Sequence, residues 1–264
     1  MIHRIITFII SSCLSFSLFA TQEIQESSLQ SQHPIQPLTQ KQIGAMATQY
    51  FMDHPHEMLK VLQNLHNSIQ KNKEDKIKKV LIENKELLLQ SSYLPILGNP
   101  NATKTLIYFY DFQCIYCKKK YPLLIQLLKT NKDLKIVFVP LHLFGKVSSY
   151  TNKMALYINS LGKFKQFYDS LEANKEKLTV IAVNNIAKNL GVNIGEAKKY
   201  INSVGLIKAI ESIDKLKNSL DIHGTPYIFI IPSDESSLSN TTITIFKGYV
   251  EKNKIQQVLN SISS

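Results

Sequence analysis

Between residues 41 and 91 the apolar positions recur with a helical period. Ile43, Met46, Ala47, Tyr50 and Phe51 follow the i, i+3, i+4, i+7, i+8 spacing of one helix face. Pro55 suits a helix start, with Glu57 in its first turn. Met58, Leu59, Leu62, Leu65 and Ile69 continue a stripe, as do Ile77, Val80, Leu81, Leu87 and Leu88. Two or three helices with single stripes cannot bury them alone. They must pack on the main domain or on another subunit, and the residues by themselves leave both open. After this the pattern changes. Residues 97–103 read as a Gly/Asn/Pro hinge, and Thr105 to Tyr110 as a buried strand rich in β-branched and aromatic residues. The spacing then predicts a helix over 115–130 and a strand over 134–139, which together make a βαβ unit. Helices are predicted at about 149–160, 163–172, 179–190, 194–202 and 205–219, with Gly162, Gly191 and Gly205 at or near the breaks. A turn at His223-Gly224-Thr225-Pro226 leads into a strand over 227–231. A polar loop, a strand over 242–246 and a closing helix over 251–262 complete the chain, with no internal repeat.

The first residues read as an address. Met1 to Arg4 are positively charged, Ile5 to Phe19 mostly apolar, and polar residues begin at Gln22, the layout of a secretory signal peptide over 1–20. The apolar run is too short and too rich in Ser for a good transmembrane span. Ile10-Ser11-Ser12-Cys13 resembles a lipoprotein box, but apolar residues continue past Cys13. The favoured reading therefore discards that cysteine with the signal. Residues 21–40, rich in Gln and Ser with Pro34 and Pro37, read as a flexible linker.

Composition narrows the function. The 264 residues are 44% hydrophobic, which excludes wholesale disorder. The net charge of +11 comes from lysines spread along the chain, and Arg4 is the lone arginine. Nucleic-acid readers favour arginine for bidentate contacts, so no nucleic-acid partner is expected. The three cysteines cannot make a disulfide scaffold, and once Cys13 is discarded only Cys114 and Cys117 remain.

Cys114-Ile-Tyr-Cys117 has three readings. A disulfide closing so short a loop stabilises weakly. A zinc site needs four ligands, and neither a second C-x-x-C nor a His pair close to these cysteines is present. A redox dithiol requires a thiolate at a helix N-terminus, where free N–H groups and the helix dipole favour negative charge. The pair lies between a buried strand and a helix, where Cys114 takes that N-terminus and Cys117 falls about one turn later. Lys118, Lys119 and Lys120 read mainly as a solvated helix face, Asp111 as a shaping or capping residue, and His142 and His223 as ordinary loop histidines.

The stretch from Tyr108 to Pro122 resembles the active site of the thioredoxin superfamily, with Pro122 matching the proline that kinks its active-site helix. Gly224-Thr225-Pro226 is similar to the family's cis-proline loop. The long helical stretch resembles the DsbA-type insertion. Residues 41–91 are similar to the N-terminal module of ScsC-like and outer-membrane-antigen-type DsbA homologues. The resemblance implies an α/β thioredoxin-like fold over 98–264 with an insertion at about 141–220, preceded by a helical oligomerisation module at 41–97. It implies an exported protein disulfide oxidase or isomerase without a cofactor, in the periplasm or envelope of a Gram-negative bacterium. Cys114 would be the nucleophile and Cys117 the resolving thiol, with Thr225, Pro226 and Tyr116 meeting substrate. Its partners would be envelope proteins bearing thiols or disulfides, a quinone-linked oxidase or a reductase in the membrane, and further copies of itself through 41–91. The Ile-Tyr dipeptide departs from the Pro-His of strongly oxidising DsbA proteins. Tyr108 stands where many members carry a buried acid that moves protons for the second cysteine. A non-catalytic envelope antigen or chaperone-like binder on the same scaffold is the alternative.

Overall fold

The computed structural model describes residues 37–234, 238–239 and 241–262. The signal segment, Cys13 and the linker up to residue 36 lie outside the described residues. The described chain divides into two compact units, one reaching Met58 and the other beginning at Leu59.

In the first unit, helix α1 (Gln40–Asp53) starts at a reciprocal cap: the Gln42 N–H is held by the Thr39 side chain, and the Gln42 side chain reaches back to Thr39. None of its residues is buried, and Ile43, Met46 and Tyr50 are exposed. Helix α2 (Pro55–Glu83) begins on Pro55, whose missing N–H costs nothing at a first helical position.

The second unit is built on a five-stranded sheet ordered β1 (Ile96–Gly98), β3 (Lys135–Pro140), β2 (Lys104–Tyr110), β4 (Tyr227–Pro232), β5 (Thr244–Lys247). β2 and β3 are parallel, joined through helix α4 (Ile115–Thr130), while every other pairing is antiparallel. Alternate residues of the strands face opposite ways. Leu106, Tyr108, Tyr110, Ile136, Phe138 and Ile228 join a core with α4 and the inserted helices. Ile107, Phe109, Val137, Val139 and Phe229 join a second core with Ile77, Leu81 and Leu88, contributed by α2 and α3 (Lys85–Leu89). The C-terminal part of the helical stripe is thus covered by the sheet, whereas Leu59, Leu62, Leu65 and Ile69 are exposed.

The insertion comprises α5 (Gly145–Ser160), α6 (Phe164–Ala173), α7 (Val180–Asn189), α8 (Ile194–Ile201) and α9 (Val204–Ser219), and α10 (Lys252–Ser261) closes the chain. Two local expectations are corrected. The expected hinge at 97–103 begins with an edge strand, because residues 96–98 pair with β3. Gly98 sits at φ +101°, where a Cβ would collide with the Leu134 carbonyl oxygen, so glycine is required there. The helix expected from 149 begins at Gly145, whose φ of +81° lets the chain turn directly into α5.

Candidate active site

β2 delivers the chain to Asp111, and α4 starts with Cys114 as its N-cap. The Cys114 N–H donates to the Asp111 carbonyl oxygen at 3.0 Å, which closes the turn. Both cysteines are free thiols and both are buried, but Cys114 keeps 4% exposure and Cys117 none, so Cys114 is the less enclosed sulfur. At the same end of the sheet, the turn before the neighbouring strand β4 brings Thr225 and Pro226, joined by a cis peptide bond. As a thiol, Cys114 donates through Sγ to the Thr225 carbonyl oxygen at 3.2 Å. The structure therefore brings four expected site residues together from two distant segments. Tyr116, the fifth, lies between the cysteines and is half-exposed.

The two sulfurs differ electrostatically. The Cys114 pKa is lowered to about 5, chiefly because the Cys117 thiol donates to its sulfur; burial opposes this, and the Thr225 hydroxyl and the N–H groups of Cys117 and Tyr116 add to it. Cys117 is pushed far upward, first by burial and then by giving its proton to Cys114. The Thr225 hydroxyl is buried with no conventional hydrogen-bond partner among the described residues and faces both sulfurs. It is free to turn toward whichever sulfur carries charge.

This asymmetry has a pH consequence. The folded value of Cys114 lies below the ordinary 9.0, so its contribution to the stability of the reduced protein is complete above pH 9 and is lost as pH falls through about 5. Ultraviolet titration of the reduced protein should show a thiolate forming near pH 5, and Cys114→Ser should remove that step. A first thiolate appearing only near pH 9 would contradict this environment.

The surrounding residues correct parts of the sequence reading. Asp111 does not cap α4. It is fully buried and accepts hydrogen bonds from the Gln113 N–H at 2.9 Å, the Leu143 N–H at 3.0 Å and the Ser148 hydroxyl. One side chain thereby ties the cysteine turn to the start of the insertion. Among the three lysines only Lys119 is exposed and Lys118 is half-buried, but Lys120 is fully buried, its amine 4.3 Å from the Tyr249 ring centroid. Lys120 shares the inward face of α4 with Cys117, Tyr121, Leu124 and Leu127. Burial lowers its pKa to about 8. His223 is exposed, with Nε2 2.7 Å from Asp221 Oδ1. His142 is largely enclosed, and burial lowers its pKa.

Tyr108 places its hydroxyl against Cys117, donating to the Cys117 carbonyl oxygen at 3.3 Å and lying within hydrogen-bond reach of its sulfur. Around it are Tyr110, stacked at 5.6 Å, and Tyr168 of α6, whose ring is 5.6 Å from that of Tyr110. The sequence reading missed Tyr110 and Tyr168. Tyr110 alternates with Tyr108 on the same face of β2, which was the available signal. Nothing in the sequence places Tyr168 beside a cysteine so distant along the chain.

The thioredoxin family model matches residues 90–252. No match is found among curated proteins. Of the solved structures, BcfH of Salmonella enterica Typhimurium superposes with a TM-score of 0.71 at 21% identity, over 83% of this chain and 94% of that one. The catalytic domain of Proteus mirabilis ScsC gives 0.58 at 21% identity, over 69% and 96%. The thiol-disulfide exchange protein α-DsbA2 of Wolbachia pipientis gives 0.60 at 21% identity, over 72% and 97%. These likenesses show the fold, a thioredoxin-like one shared with the DsbA and ScsC structures. Since the family match spans more than half of its residues, the chain belongs to the thioredoxin family.

Proposed function

We propose that the protein is a thiol-disulfide oxidoreductase of the bacterial envelope, exchanging disulfides with other proteins through Cys114 and Cys117. The observation that carries this is the division of labour between the sulfurs: a less enclosed sulfur at the helix N-terminus that favours the anion, and a fully enclosed one that keeps its proton. In the oxidising direction a substrate thiolate attacks Cys114 Sγ of the Cys114–Cys117 disulfide. Cys117 leaves and is protonated, and a mixed disulfide forms. A second substrate thiolate then expels Cys114 as a thiolate. In the isomerising direction the Cys114 thiolate attacks a wrong disulfide and later releases it. Thr225 and Pro226 present backbone to the substrate, and Tyr116 offers an exposed ring beside the reacting sulfur.

Magnitudes favour disulfide donation. Lowering a thiol pKa from 9.0 to about 5 raises its thiolate fraction at neutral pH roughly a hundredfold. Nucleophilicity falls by a similar factor, about 40–100-fold for a Brønsted slope near 0.4–0.5. The two nearly cancel for attack, but the same shift makes Cys114 a fast leaving group and stabilises the reduced enzyme. A periplasmic thioredoxin-like protein of Salmonella enterica serovar Typhimurium, similar in fold with a TM-score of 0.54 at 20% identity, supports a periplasmic setting. The reading includes resetting by a quinone-linked oxidase or a reductase in the membrane, envelope proteins with thiols or disulfides as substrates, and no nucleic acid.

Oligomerisation belongs to the same reading. The apolar residues Ile43, Met46 and Tyr50 of α1 are exposed, and a second copy presenting the same face would cover them. Analytical ultracentrifugation should show a multimer that Ile43→Lys with Met46→Lys reduces to monomer. Refolding of a scrambled disulfide substrate tests activity. The wild type should restore native pairing, and the monomeric variant should lose isomerisation while retaining oxidation of reduced substrate. A Cys114–Cys117 disulfide that resisted dithiol reductants would instead favour the non-catalytic scaffold.

A further inference from the structure

Among the charged side chains of α4, Lys120 alone is buried, one turn after Cys117 on the same face. It has no exposure, and its Nζ has no hydrogen-bond partner among the described residues. An ammonium shut away from water without hydrogen bonds lowers the stability of a fold, and a methionine would fill much the same space without that cost. Stability therefore does not account for the lysine, but its contact does. Nζ lies 4.3 Å from the centroid of the Tyr249 ring, within cation–π range.

Tyr249 lies in the short segment between β5 and α10. Gly248, at φ +76°, turns the chain out of β5, and its N–H donates to the Pro226 carbonyl oxygen at 2.9 Å. Val250 is buried in the core that α4 shares. Between these two anchors Tyr249 stays 48% exposed, so burial alone does not fix its ring. Glu251, the N-cap of α10, is the charged group that bears on the amine, and Cys117 and Tyr121 share its face of α4. A line of contacts thus runs from α4 through Lys120 and Tyr249 to Gly248 and the backbone of Pro226. The preceding residue, Thr225, carries the carbonyl oxygen that meets Cys114 Sγ. We propose that the Lys120 ammonium, by holding the Tyr249 ring, fixes residues 248–249 and through them the Thr225–Pro226 backbone where it receives a substrate polypeptide.

Lys120 acts through Tyr249 and Gly248 and is a positioning residue. A small disulfide without a peptide backbone has nothing to align on that loop, so the effect falls on polypeptides. The amine holds the ring as a cation. Burial lowers its pKa to about 8, with Glu251 opposing, so the hold weakens as pH rises through about 8. Stability moves the other way. The folded value lies below the ordinary 10.5, so the fold becomes more stable as pH rises from about 8 toward 10.5.

The proposal rests on the thiol-exchange reading, and one experiment separates the two. The reduced full-length protein is mixed by stopped flow with an unstructured peptide whose single cysteine is disulfide-bonded to thionitrobenzoate. The thionitrobenzoate disulfide of mercaptoethanol serves as the comparison without a backbone. The Cys114 thiolate attacks the peptide sulfur; the mixed disulfide forms as thionitrobenzoate leaves as a coloured thiolate with the electron pair. Lys120→Met should raise the half-saturating peptide concentration at least about fivefold, with the limiting rate within about twofold of the parent. The preference for the peptide over the mercaptoethanol disulfide should fall by the same factor. Tyr249→Leu should behave alike, and the double variant should be no worse than either single one, because both interrupt one contact. In the parent this preference should decline as pH rises through about 8, and in Lys120→Met it should stay level; the ratio cancels the titration of Cys114 itself. Lys120→Met should melt no lower than the parent. A parent-like preference and pH profile in Lys120→Met would overturn the proposal. So would an equal loss of reactivity toward both disulfides, which would make Lys120 a support of the fold alone. A parent that reacted with neither disulfide would instead overturn the thiol-exchange reading.

Discussion

Cys114→Ser should abolish thiol exchange, whereas Cys117→Ser should halt the protein as a covalent mixed disulfide with its substrate. Removing Cys114 removes the sulfur at the helix N-terminus, and Cys117 cannot take its place. It is fully buried, and burial pushes its thiol pKa far upward, so almost no thiolate is available for attack. The loss should reach the detection limit. Cys117→Ser leaves Cys114 its helix N–H groups and the Thr225 hydroxyl, so attack continues, but no second sulfur frees the substrate. Non-reducing electrophoresis of substrate mixtures should show a reductant-sensitive adduct with Cys117→Ser and none with Cys114→Ser. Full activity in both variants would remove the pair from the mechanism. Cys117→Ser also deletes the thiol that donates to Cys114, so the Cys114 titration should move up from about 5.

The second large effect is structural and falls on Asp111. Asp111→Ala removes the acceptor for the Leu143 N–H and the Ser148 hydroxyl, both held by Oδ2, and for the Gln113 N–H held by Oδ1. Of these three donors the Ser148 hydroxyl is buried and the two N–H groups are part-buried, so leaving them without a partner costs about 2–6 kcal/mol, a large part of the 5–15 kcal/mol that holds a typical domain. For a chain of this size the melting temperature should fall by roughly 5–20 °C. Asp111→Asn keeps one acceptor oxygen and should cost less. Calorimetry of the reduced and oxidised forms would measure both. A change under 2 °C for Asp111→Ala would mean that the turn and the insertion are not joined through this side chain.

Much of this architecture was legible because it rests on short-range patterns. The strand TLIYFY, the C-x-x-C at its end and the apolar face of α4 lie within one βαβ unit, where period and spacing report directly on structure. Gly224-Thr225-Pro226 was legible as a turn, and its placement beside Cys114 came through family resemblance. What escaped depends on partners far away in sequence. Residues 96–98 have too few positions to show alternation and become a strand only through β3. Lys120 was read as solvent-facing from its charge, although its spacing from Cys117 and Leu124 places it on the buried face, where the Tyr249 ring receives it. Tyr168 reaches Cys117 only because α6 packs into the same core as α4.

The same long-range pairing orders the birth of the site. β2 and β4 are hydrogen-bonded neighbours, yet the entire helical insertion separates them in the chain. Cys114 meets the Thr225 backbone across 111 residues. Contacts of such separation form late, because a long loop must close before they repay its entropy. A chain emerging N-terminus first therefore displays both thiols before the segment that will shelter them exists. Until β4 docks, the future active site is an open dithiol exposed to whatever oxidant or unpaired cysteine it meets, so this protein's own maturation is the first disulfide chemistry it must survive.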